Sequence, residues 1–136
     1  MKKFVLLFIA LLALILPLVG CGGETKARLG QEFSLAIGQT ATIQGESLAV
    51  KFLDVTADSR CPKGATCIWA GEAKSLVSFI VNGQPKEVVL TEPGLSAPPF
   101  QQTEEGYQVA FSLTPYPEVG KEIDEKGYRL VLTVTR

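Results

Sequence analysis

Three cysteines and no histidine stand in a chain of 136 residues, and those two facts bound its chemistry. Without histidine, Ser-His-Asp and Cys-His nucleophile sites are excluded. A zinc site is disfavoured for the same reason, because it needs four ligands from cysteine, histidine or carboxylate. Cys61 and Cys67 also lack the C-x-x-C spacing of thioredoxin-like redox sites. The remaining candidates for acid and base work are the carboxylate pairs Glu104-Glu105 and Asp124-Glu125, of the kind that cleave glycosidic bonds. Each pair sits in a polar stretch bounded by glycine, the composition of a solvated turn. Asp124-Glu125-Lys126-Gly127 does not have calcium-loop spacing either. No catalytic residue, metal or cofactor is expected, and the chain is read as a protein that is not an enzyme.

Cys21 stands apart from the other two cysteines. Met1-Lys2-Lys3 supplies a positive start, Phe4 to Leu16 an apolar run, and Leu18-Val19-Gly20-Cys21 ends it with a small residue just before the cysteine. This segment resembles a bacterial lipoprotein signal peptide. The resemblance implies cleavage after residue 20, diacylglycerol on the Cys21 sulfur, and a mature protein tethered by lipid to the cell membrane or outer membrane, facing away from the cytoplasm. An uncleaved membrane span is the other reading; the run is shorter than the ~20 apolar residues a span needs, and Pro17 interrupts it. Once Cys21 is alkylated and the chain exported, Cys61 and Cys67 are left for one another in a compartment that permits a disulfide. Closing so short a loop removes roughly 2.4 kcal/mol of unfolded-chain entropy.

The cysteine pair belongs to a distinctive run, Asp58-Ser59-Arg60-Cys61-Pro62-Lys63-Gly64-Ala65-Thr66-Cys67-Ile68-Trp69-Ala70-Gly71-Glu72. It resembles the D-S-R-C-P, four residues, C-I-W-A-G motif of a family of small, uncharacterised bacterial secreted proteins and lipoproteins. Leu113-Thr114-Pro115-Tyr116-Pro117 and Tyr128 to Leu132 look like the C-terminal half of the same family. The resemblance implies location and fold and carries no activity. Asp58, Arg60, Lys63, Trp69 and Glu72 form the candidate binding surface around a loop that Pro62 and Gly64 stiffen and turn. Two readings of the loop compete. In one, Arg60 and Trp69 are exposed anchors, since arginine and tryptophan dominate interface energetics. In the other, which is favoured, Trp69 packs in the core against the disulfide and Arg60 pairs with Asp58 or Glu72 as a clamp.

The elements that must position this loop are strands. Residues 21–32 hold Gly22, Gly23, Thr25, Lys26 and Gly30 without apolar periodicity, and are expected to be a flexible tether. From Phe33 to the C-terminus the period is two: Phe33-Leu35-Ile37, Thr40 to Gln44, Leu48-Val50-Phe52, and Lys74 to Val81. Asn82-Gly83 predicts a type I′ hairpin into Glu87 to Thr91, with Pro85 confined to an edge. Tyr107-Val109-Phe111-Leu113 and Tyr128-Leu130-Leu132-Val134 close the set, after an irregular connection over residues 92–106. The expectation is an all-β, antiparallel Greek-key sandwich of about seven strands over residues 33–136, immunoglobulin-like in architecture but without the immunoglobulin disulfide.

Charge narrows the partners. Without Lys2 and Lys3, eleven basic residues face fourteen acidic ones, a formal charge of −3 with no basic block. Nucleic acid is therefore not expected as a partner, and membrane attachment must come from the lipid. The function expected is a non-catalytic binding module at the cell envelope, contacting a protein, glycan or small ligand. An envelope enzyme inhibitor presenting the Cys61–Cys67 loop is the alternative, with an enzyme a more distant one.

Overall fold

The computed structural model describes residues 23–136, so Cys21 and the segment over 1–20 lie outside the described residues. The chain forms the all-β sandwich that its alternating pattern calls for. Nine strands make it: β1 (Glu24–Arg28), β2 (Glu32–Ala36), β3 (Thr40–Gln44), β4 (Leu48–Asp58), β5 (Glu72–Val81), β6 (Gln84–Pro93), β7 (Phe100–Glu104), β8 (Tyr107–Thr114) and β9 (Arg129–Thr135). One sheet has the order β1-β3-β4-β5-β6 and the other β2-β9-β8-β7. Every pairing is antiparallel except β1 with β3.

Inward residues of the two sheets meet in one core. Ile43, Leu48, Val50, Phe52, Val77, Phe79 and Leu90 face Leu35, Val109, Phe111, Leu113, Leu130, Leu132 and Val134, all buried. A single β-sheet face of this composition has no other way to leave water, and facing sheets about 10 Å apart close it. Asn82 and Gly83 have positive φ, 51° and 78°, as the primed turn requires, and they set the β5–β6 register from Val81↔Gln84 to Glu72↔Pro93. Pro85 falls on β6, an edge strand, where its missing N–H leaves no ladder bond broken.

Two expectations need correction. The tether over 21–32 does not extend to residue 32, because β1 begins at Glu24 and pairs in register with β3 from Glu24↔Thr40 to Arg28↔Gln44. Only Ala27 of this strand is buried, so it carries no apolar period for a sequence reading to find; backbone pairing to an open edge holds it. The irregular connection over 92–106 likewise contains β7, whose alternation is polar, and with β1 it raises the strand count to nine.

Candidate functional site

The motif sits at one end of the sandwich, and the sheet register explains how. Asp58 lies opposite Ala73, and Ala73 lies opposite Glu92, so three neighbouring strands bring two carboxylates inward on either side of a methyl group. Strands two apart are separated by about 10 Å, room enough for a guanidinium between them. Two bulges in β4, at Leu53 and Thr56, deliver its end to this register. Arg60, just past that end, folds back over Ala73 and fills the gap.

Its side chain is fully buried, and each of the five guanidinium hydrogens has a destination. Nε donates to Asp58 Oδ1 at 2.9 Å, and Nη2 to Asp58 Oδ2 at 2.7 Å and to the Pro115 carbonyl at 3.1 Å. Nη1 donates to Glu92 Oε1 at 2.8 Å and to the Leu113 carbonyl at 2.9 Å. Glu92 Oε2 accepts the Leu113 N–H at 2.7 Å. This last pair of contacts has a structural reason. β7 pairs with β8 only as far as Phe111, so the N–H and C=O of Leu113 have no strand beside them. Glu92 and Arg60 occupy the place of the missing strand and satisfy both groups, which would otherwise be buried unpaired.

Two tyrosines complete the cluster. Tyr128, just before β9, donates its hydroxyl to Asp58 Oδ2 at 3.0 Å. The Tyr116 ring lies 4.9 Å from the Arg60 guanidinium carbon, while its hydroxyl donates to the Cys61 carbonyl at 3.0 Å and accepts the Leu95 N–H at 3.2 Å. Burial alone would raise the Asp58 carboxyl, but the Arg60 hydrogen bonds and charge outweigh it and hold the carboxyl below its ordinary range. Burial and the hydrogen bond to Asp58 push the Tyr128 hydroxyl up to about 12.

The cluster therefore makes stability depend on pH from both sides. Asp58 binds its proton more weakly in the fold than in the unfolded chain. Its contribution is complete above the ordinary value of 3.8 and is lost as pH falls below it. Tyr128 has the opposite sense: the fold favours its neutral form, so stability is intact below pH 10 and falls as pH rises toward 12. The loss over that interval is roughly 2 kcal/mol. Urea midpoints measured across pH 9 to 12 should decline in the wild type and decline less in Tyr128→Phe; parallel curves would refute the assignment.

Cys61 and Cys67 are bonded to each other, with Cα atoms 6.0 Å apart. Cys61 is buried, and the loop base is tied to its neighbours: Cys61 N–H to the Ala70 carbonyl at 2.8 Å, Lys63 N–H to the Pro117 carbonyl at 2.9 Å, and Val119 N–H to the Lys63 carbonyl at 3.1 Å. Past this base the chain projects outward. Trp69 is 81 % exposed and Ile68 95 %, which overturns the expectation of a core tryptophan beside the disulfide. Gly71 and Gly94 bring three backbone segments into direct contact under the loop, which fixes the path of the chain that carries Trp69 and leaves its indole outside the core. Their hydrogen bond, Gly94 N–H to the Gly71 carbonyl, is 2.9 Å long.

The five residues of the expected surface thus separate. Asp58 and Arg60 are joined inside the fold as a clamp. Glu72 is not the clamp partner; it pairs with Lys74 at 2.8 Å, half exposed, because its position on β5 faces outward from Ala73. Lys63 and Trp69 remain on the surface. Glu92 and Tyr128 are the residues of this cluster that sequence reasoning missed. Glu92 lies two residues from the inward-facing Leu90 on the same strand, and that spacing was the signal available.

Neither models of protein families, nor characterised proteins, nor solved structures give a match to this chain.

Proposed function

We propose that this protein is a lipid-anchored, non-catalytic binding module of the bacterial cell envelope, and that its disulfide loop is the recognition surface. One observation carries the reading: Ile68 and Trp69, adjacent and almost fully exposed, sit on a loop held by a disulfide, by backbone bonds to residues 117–119 and by the Arg60 clamp. Two large apolar side chains in water on a stiff loop lose little freedom on binding and gain their burial from the partner. Tryptophan in particular is enriched at the centres of interfaces. The lipid anchor rests on the signal-like segment ending at Cys21, with the resemblance of the Asp58 to Glu72 run to the motif of small secreted proteins and lipoproteins in support. Among the described residues no helix is long and apolar enough to cross a membrane.

The inhibitor reading draws on the same loop, because Gly64, Ala65 and Thr66 are exposed within the disulfide ring. A panel of envelope and secreted hydrolases assayed with the purified protein distinguishes it: inhibition lost in Thr66→Arg but retained in Trp69→Ala would favour the ring over the Ile68-Trp69 pair.

The main test uses two variants. Cys21→Ser should shift the protein from the membrane fraction to the precursor or soluble pool, and unchanged fractionation would sink the lipoprotein assignment. Trp69→Ala should leave the unfolding midpoint within about 0.5 kcal/mol of wild type, as exposed positions do. The same change should lower crosslinked capture of envelope partners at least about tenfold, the effect of removing a central anchor. Capture at wild-type level would refute the recognition role.

A further inference from the structure

Beside the disulfide loop lies a pocket of about 470 Å³, bounded by the loop itself, by the connection after β6 and by the end of β8. We propose that it is a binding site for a small amphipathic anion, a molecule with a flat or aliphatic apolar body and one carboxylate. This goes beyond the reading of Ile68 and Trp69 as a recognition surface, and takes from it only that this end of the sandwich faces ligands.

The walls argue for the apolar body. Pro62, Ala65, Leu95, Pro98, Leu113 and Tyr116 contribute to the lining, and the volume is in the range of small-molecule sites. Two of the strongest polar groups of the lining are already engaged. The Glu92 carboxylate is taken by Arg60 and by the Leu113 N–H, and the Tyr116 hydroxyl is bonded on both sides. A ligand entering here meets a mostly carbon surface in which Glu92 and Tyr116 cost little to cover, and the hydroxyls of Ser96 and Ser112 are the polar groups it must accommodate.

The single cation at the rim argues for the charge. Lys63 lines the pocket, is exposed, and holds its ammonium 5.6 Å from the centre of the Tyr116 ring. Among the described residues it has no carboxylate within ion-pair distance. Glu118, the acid whose carboxyl it helps to hold down, is bound by Lys121. A ligand carboxylate at the mouth gains a charge-assisted hydrogen bond without displacing an internal partner. The geometry is also stiff, because the Tyr116 hydroxyl ties the loop at Cys61 to the connection after β6 at Leu95, while the disulfide closes the loop on itself.

The probe is fluoronaphthoate, followed by fluorine NMR against the full-length protein in zwitterionic nanodiscs, with neutral fluoronaphthamide alongside and empty nanodiscs subtracted. Wild type should bind the acid more tightly than the amide. Lys63→Met should weaken the acid about tenfold and leave the amide unchanged. Leu95→Glu, at a position 66 % exposed and therefore compatible with folding, should abolish both. Trp69→Ala should alter neither, since it is not part of the lining. Equal binding of acid and amide, indifference to Lys63→Met, or no binding by wild type would each overturn the proposal. Normal partner capture by Trp69→Ala would overturn the loop reading alone, and the titration decides the pocket independently of it.

Discussion

Arg60→Ala is expected to destabilise the domain by about 5 kcal/mol, the upper end of what removing one partner of a buried ion pair costs. The magnitude follows from what is left behind. Asp58 and Glu92 would stand on either side of Ala73 with no cation between them, and the Leu113 and Pro115 carbonyls would each lose a donor. A domain of this size has a total stability of about 5 to 15 kcal/mol, so much of the variant would be unfolded at 37 °C. Arg60→Lys should fare little better, because one ammonium has three donors where five are used and has no planar fork to match Asp58. Urea unfolding of the two variants beside wild type measures this directly. A loss below about 1 kcal/mol for Arg60→Ala would show that the clamp does not hold this end of the sandwich.

Gly71→Ala should be nearly as damaging, for a steric reason and not an electrostatic one. Gly71 has a φ of +70°, and a Cβ there would overlap the Ser59 carbonyl oxygen and touch the Arg60 Cα. Backbone cannot swing aside as a side chain can. Ser59 is itself fixed by its N–H bond to the Glu72 carbonyl at 2.8 Å, so relief would have to come from parting β4 and β5. The expected loss is about 4 kcal/mol or more, with the protein recovered mainly as aggregate. Gly120→Ala is the matched control: its φ is +77° but nothing lies within 4 Å of the added methyl. That change should cost only the left-handed strain, about 1 kcal/mol. Equal losses for the two variants would mean that the close approach under the loop is not the limiting constraint.

These two predictions concern residues whose importance was unevenly legible. The alternation Tyr107-Val109-Phe111-Leu113 announced β8 because a strand buried on one face has a period of two wherever it lies in the fold. Asn82-Gly83 announced its hairpin because positive φ at both positions is a local demand. Arg60 could be narrowed to a clamp or an anchor, with Asp58 two residues away as a natural partner. Its second partner could not be read, since Glu92 is 32 positions distant and comes beside it only through the Asp58–Ala73–Glu92 register.

Trp69 shows the limit most clearly. A tryptophan two residues after a disulfide has the composition of a core element, and only the direction of the loop decides otherwise. That direction is set by three backbone segments meeting at Gly71 and Gly94, and by bonds from residues 61–63 to residues 70 and 117–119. β1 escaped for the complementary reason: its one buried side chain is Ala27, and it is held by main-chain bonds to β3 that any side chains would permit. By itself, then, the sequence determined the strands with one apolar face, the hairpin at Asn82-Gly83, the all-β class and the chemistries that a chain without histidine lacks. Each of these depends on residue type and spacing within a few positions. The tertiary structure alone decided that Arg60 lies inside and Trp69 outside, that Glu92 completes the clamp, and that the edge is lengthened by β1. Each of those depends on which backbone lies alongside which, a relation between distant segments that local periodicity does not encode.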